Sequence, residues 1–192
     1  MTYRALITAG WLCMFSAFVS IPVAYYSFRL DTTTDQAANL IQIVIQTAGV
    51  ALFVAITMYL KKLLNVQFGF YETNKNIDMM ILANVVASVM VIIAYSFTDL
   101  KETLSTAALV VAVFQGIIQI QFGFKLMKLQ NDLGGMLKPF CVTNIATGIC
   151  IASVVLIIVG VVVSAVSDLM LGTIFFQLSK LMNQPEQIES NS

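Results

Sequence analysis

Hydrophobic positions along the chain fall into helix-length runs that arrive in pairs. Four runs cover roughly residues 5 to 28, 39 to 60, 79 to 97 and 106 to 124, each bounded by charged or turn-forming residues. A helix needs about 20 apolar residues to cross a hydrocarbon core of about 30 Å, so all four qualify as membrane spans. The last apolar stretch, residues 142 to 181, is too long for a single span. One straight helix of about 40 residues would reach about 60 Å.

Two readings fit that last stretch: one span followed by an interfacial helix, or a third hairpin whose turn lies between Gly160 and Asp168. Short sequences shared by the pairs favour the hairpin. The first run ends in Ala24-Tyr25-Tyr26-Ser27-Phe28 and the third in Ala94-Tyr95-Ser96-Phe97. The second ends in Gln67-Phe68-Gly69-Phe70 and the fourth in Gln121-Phe122-Gly123-Phe124. The segment from Gly172 to Met182 echoes the fourth run, and Ser164-Ala165-Val166-Ser167-Asp168 echoes Tyr95-Ser96-Phe97-Thr98-Asp99. The expected fold is therefore all-α. It is a polytopic membrane helix bundle of six transmembrane helices in three hairpin repeats, at about residues 5–70, 79–124 and 142–182. Five spans plus an interfacial helix is the runner-up. Residues 1–182 form one transmembrane domain, and the Gln-, Glu-, Asn- and Ser-rich residues 183–192 are expected as a disordered cytoplasmic tail.

Composition agrees on the solvent. Of the 192 residues 59% are hydrophobic and only 10% charged, against roughly 25% charged in a soluble domain, and the mean hydropathy is +0.89. The formal net charge is zero and no basic cluster stands out, so nucleic acid is excluded as a partner and membrane lipid is expected.

Lysine and arginine placement orients the chain, because cytoplasmic loops carry the excess of basic residues. Lys61, Lys62, Lys75, Lys125, Lys128 and Lys138 fall in the two loops that follow the second and fourth spans. Those loops, Arg4 and, with six spans, Lys180 are expected inside, with both termini cytoplasmic. The opposite loops carry Arg29 and Lys101 beside Asp31, Asp35, Asp99 and Glu102. Compactness and short loops suggest a bacterial inner membrane. Tyr25, Tyr26 and Tyr95 mark the outer boundary, and the two QFGF segments read as inner helix ends with glycine relaxing the backbone and phenylalanine as anchor. In the longer inner loop, Gly134-Gly135 stops one helix and Pro139 suits the first turn of the next. The basic start and apolar run at the N-terminus are read as a retained first span, since no small-x-small cleavage site precedes Pro22.

Absences narrow the chemistry. The chain has no histidine, which excludes bis-histidine haem, His-based metal centres and Ser-His or Cys-His nucleophile pairs within this polypeptide. Cys13, Cys141 and Cys150 show no CxxC spacing. No phosphate-binding glycine motif appears and no intramembrane aspartate pair. The chain is therefore expected not to be an enzyme and to need no cofactor or metal.

What remains is amide chemistry. Gln42 and Gln46 are four apart on the second span, as are Gln115 and Gln119 on the fourth; the third carries Asn84 and Ser88, and the fifth Asn144, Thr147 and Gly148. Such spacing puts each pair on one helix face, and a polar face in lipid is costly, so these faces point into the bundle or toward another subunit. Packing through interhelical hydrogen bonds accounts for them. The sharper reading makes Gln42, Gln46, Asn84, Gln115, Gln119 and Asp168 the lining of a pore or ligand path. Asp168 reads as a wet turn residue if the hairpin turns at Ser167-Asp168, and as the carboxylate of a proton-coupled mechanism if it is immersed. The function expected is a small channel or transporter subunit. The alternative is a non-catalytic scaffold or accessory subunit binding partner helices or lipid, and either accommodates a homo-oligomer or a partner membrane subunit.

Overall fold

The structure, a computed structural model, describes the backbone of residues 1–31 and 36–189 and all of their side chains except those of residues 31, 98 and 183–189. Six helices follow one another: α1 (Tyr3–Asp31), α2 (Gln36–Phe68), α3 (Asn74–Ser96), α4 (Lys101–Leu126), α5 (Leu137–Ala152) and α6 (Ile157–Glu189), with a 3-10 turn at Thr98–Leu100 before α4. No strand occurs among the described residues. That outcome follows from the solvent. Runs of Leu, Ile, Val, Ala and Met in lipid have no water for their backbone groups, and a helix satisfies them within one segment.

Five of the helices are long and apolar enough to cross a membrane; α5, at 16 residues, is the exception. It rises only about 24 Å. It nevertheless packs against both α4 and α6, so the third pair is a hairpin with one short arm, and five helices rather than the expected six have the length and composition of spans. α6 continues to Glu189, into the segment expected as a tail, and residues 190–192 lie outside the described residues. The acidic Asp31 and Asp35 counted for the first outer loop also lie where side chains are not described.

The backbones form a closed ring. Among the described residues α1 packs on α6 and α2, α3 on α2 and α4, and α5 on α4 and α6, with no contact across the middle. One end of the ring is filled by large apolar side chains, including Leu6, Leu63, Leu64, Ile77, Phe122, Leu126, Phe140 and Phe175. It is the end that carries Lys61, Lys62, Lys75, Lys125, Lys128 and Lys138. There Lys61 pairs with Asp78 at 2.5 Å and Lys125 donates to Asn76 Oδ1 at 2.6 Å. Toward the other end the buried residues are small or polar: Ala17, Ala38, Gln42, Ser88, Ala94, Ala108 and Ala165. Lipid removes the hydrophobic drive between helices, so close van der Waals fit and hydrogen bonds hold such a bundle.

The loops correct the sequence reading twice. The turn of the last hairpin lies at Ser153–Leu156, before Gly160, not between Gly160 and Asp168. Val154 turns the chain with φ +60°, a conformation costly for a β-branched residue and one announced by no glycine, proline or asparagine, only by the neighbouring Ser153. Gly160, read as a turn signal, instead lets α6 approach α5, where a Cβ would lie 3.1 Å from Cys150 Cβ. The expectation of Asp168 as a wet turn residue fails with it, because Asp168 lies about three turns inside α6.

The second correction concerns QFGF. In the first copy α2 ends at Phe68, Gly69 takes φ +61°, and Phe70 N–H returns to the Leu64 carbonyl at 2.9 Å, a helix end as expected. In the second copy Phe122 and Gly123 lie within α4. Phe122 is buried in the core, and Gly123 sits against α5, where a Cβ would be 2.6 Å from Ile145 and 3.1 Å from the Cys141 carbonyl. One short sequence thus ends a helix in one place and seats a neighbouring helix in the other.

Candidate functional site

A ring with no central helix leaves its middle to be filled by side chains. At the lysine-rich end it is filled; beyond, a cavity of about 850 Å³ remains, with residues of all six helices in its wall. The floor is made by Leu60, Ile77, Phe122 and Phe140, which belong to the apolar core. Exposed Phe15 and Val44, on α1 and α2, also belong to the lining, so the cavity reaches the outside of the bundle between these helices.

The wall has two chemical characters. α2 contributes an apolar face through Val44, Ile45, Ala48, Leu52, Phe53 and Ile56. Apart from the Thr57 hydroxyl, which is also on α2, the polar groups come from the other side: Ser16 and Ser20 on α1, Gln119 on α4, Asn144 on α5, and Ser164, Ser167 and Asp168 on α6. Spacings of three or four residues place Ser16 with Ser20, and Ser164 with Ser167 and Asp168, on single helix faces.

These groups form linked contacts. Ser16 Oγ donates to Asp168 Oδ2 at 2.6 Å, joining α1 to α6, and Ser20 Oγ donates to the Ser16 carbonyl at 2.6 Å. Asn144 Nδ2 donates to Ser167 Oγ at 2.9 Å and to the Phe140 carbonyl at 2.9 Å. Gln119 Nε2 approaches Asn144 Oδ1 at 3.4 Å. Among the described residues no lysine or arginine forms an ion pair with Asp168, whose hydrogen-bond partner is the Ser16 hydroxyl. No group of three or more His, Cys, Asp or Glu side chains capable of holding a metal ion occurs among them either.

Of the six residues expected to line a path, the cavity brings together Gln119 and Asp168. Gln42 is buried and its Nε2 donates to the Ser27 carbonyl at 2.6 Å, tying α2 to α1. Gln46 Nε2 donates to Ser88 Oγ at 2.7 Å, tying α2 to α3. Asn84 keeps a buried Oδ1 without a hydrogen-bond partner, and Gln115 is half-buried; neither belongs to the cavity lining. The sequence reading passed over Ser16 and Ser20, and took Ser164 and Ser167 for turn residues. Their signal was serine at helical spacing, which is weak because serine in a membrane helix commonly bonds its own backbone.

Comparison with protein-family models, with curated proteins and with solved structures finds no match.

Proposed function

We propose that the chain is a small membrane carrier whose ligand, an amphiphilic solute, occupies the central cavity. The observation that carries this reading is the cavity's two-sided wall. A ligand with an apolar body and one polar end fits it, with the body against α2 and the polar end at the Ser16–Asp168–Asn144 group. The volume lies in the range of pockets for small organic molecules, about 300–1,000 Å³. The floor of Leu60, Ile77, Phe122 and Phe140 favours a carrier over an open channel, since a channel needs a continuous polar path. The scaffold reading is less favoured because Gln42 and Gln46, the amides it would offer to partner helices, are used within the chain. The reading assigns the protein no catalytic step.

The test is native mass spectrometry of the protein extracted from its own membrane in mild detergent, compared with Gly49→Trp. Gly49 lines the cavity and a Cβ there meets nothing within 4 Å, so an indole fills space without displacing a helix. A small amphiphile retained by the wild type and lost from the variant is the expected result. Identical retained species in both would defeat the reading.

A further inference from the structure

We propose that the ligand is an organic monocation, an ammonium or other lipophilic cation, whose charge is held by Asp168; this rests on the carrier reading above. Three observations lead to the charge. First, Asp168 faces a cavity within the membrane-spanning bundle with a hydroxyl as its partner and, among the described residues, no basic side chain paired to it. The basic residues stand toward the helix ends or in loops, and an uncompensated carboxylate in a bilayer is costly, so the site calls for a counter-charge from outside the chain.

Second, the donors of Ser16, Ser20 and Asn144 are spent. Both Nδ2 hydrogens of Asn144 are engaged, by Phe140 O and Ser167 Oγ; the Ser16 hydroxyl is given to Asp168 and the Ser20 hydroxyl to the α1 backbone. Acceptor capacity remains for a ligand at Asp168 Oδ1, Asn144 Oδ1 and the serine lone pairs. An anion would meet the Asp168 carboxylate with no basic side chain beside it among the described residues, whereas an ammonium finds acceptors. Third, the facing wall of α2 offers aliphatic and aromatic side chains, the single hydroxyl of Thr57 and no charge. A bare inorganic ion would leave that wall and most of about 850 Å³ unused, while a cation with an apolar body uses both.

Two probes of nearly the same shape and opposite charge separate the possibilities: tetraphenylphosphonium and tetraphenylborate. Each is equilibrated with the full chain in nanodiscs of zwitterionic phosphatidylcholine, and retention is measured against empty nanodiscs. Wild type should retain the phosphonium and not the borate. Asp168→Asn should weaken phosphonium retention about tenfold or more, Asp168→Glu should keep most of it, and Gly49→Trp should abolish it. The glutamate variant guards against a folding artefact, because it preserves the charge while disturbing the packing at least as much as asparagine does. If both probes are retained equally, unaffected by Asp168→Asn but lost in Gly49→Trp, the cation assignment is overturned and the carrier reading stands. Retention indifferent to Gly49→Trp, or no retention of either probe, overturns both.

Discussion

Gly116 of α4 and Gly148 of α5 face each other so closely that a Cβ built on either lies 2.6 Å from the carbonyl oxygen of the other. That approach brings the short α5 against α4 and sets Asn144 near Gln119. Because the obstructing atoms are backbone on both sides, neither helix can yield by rotating a side chain. Gly148→Ala is expected to destabilise by about 1–3 kcal/mol, the range for overpacking a close contact, and Gly116→Leu by more. Thermal unfolding in detergent checks this; an unchanged midpoint for Gly116→Leu would show that the two backbones do not meet.

The Ser16–Asp168 bond predicts a coupling. Ser16→Ala removes the hydroxyl from a membrane-embedded carboxylate and is expected to cost about 1–3 kcal/mol, whereas in an Asp168→Ala background the same change should be nearly silent. A double-mutant cycle on unfolding in detergent gives the pairwise energy. Additive effects would mean the bond is absent.

The two QFGF copies should respond differently to asparagine, the residue besides glycine that best tolerates positive φ. Gly69→Asn is expected to cost well under 1 kcal/mol, since the site has open space and needs only the left-handed conformation. Gly123→Asn must push α5 away and should lower the unfolding midpoint by several degrees. Equal effects would erase the distinction.

Val154 offers a stabilising change. Replacing it by glycine removes a β-branched residue from φ +60°, a strain of order 1–3 kcal/mol, partly offset by the added freedom of the unfolded chain. A raised midpoint in the same thermal assay is the expected outcome; a lowered one would indicate that the side chain contributes more than its backbone costs.

Orientation is testable because Cys13, Cys141 and Cys150 are all buried. A membrane-impermeant maleimide applied to whole cells should label Asp99→Cys, while Asp132→Cys, also exposed, should react only after permeabilisation. The reverse pattern would invert the charge-based assignment of sides.

What the sequence made legible was set by length and periodicity. Four spans and the antiparallel order of the last two helices follow from apolar runs that only a helix can carry through lipid. The turn at Ser153–Leu156 was hidden because its one serine is followed by Val, Val and Leu, and valine at positive φ is held there by the packing of α5 on α6 rather than by local preference. Asp168 was misjudged for the converse reason. A serine-rich stretch ending in an acid is what a wet loop contains, and only the contact with Ser16, far away in sequence, places it inside. The amides were recognised as inward-facing, but which helix each would reach depends on the ring order, and the α1–α6 seam that closes the ring leaves no mark on the hydrophobic pattern.

The ring without a central helix also sets how the cavity exchanges its contents. Nowhere is its interior separated from the acyl chains by more than one helix, about 10 Å across, and the exposed Phe15 and Val44 at the α1–α2 seam stand between the two. A solute dissolved in the bilayer is already at the wall. For the ligand proposed above, occupancy would therefore follow its concentration in the leaflet, and its partition coefficient would weigh on apparent affinity as heavily as any contact inside the protein.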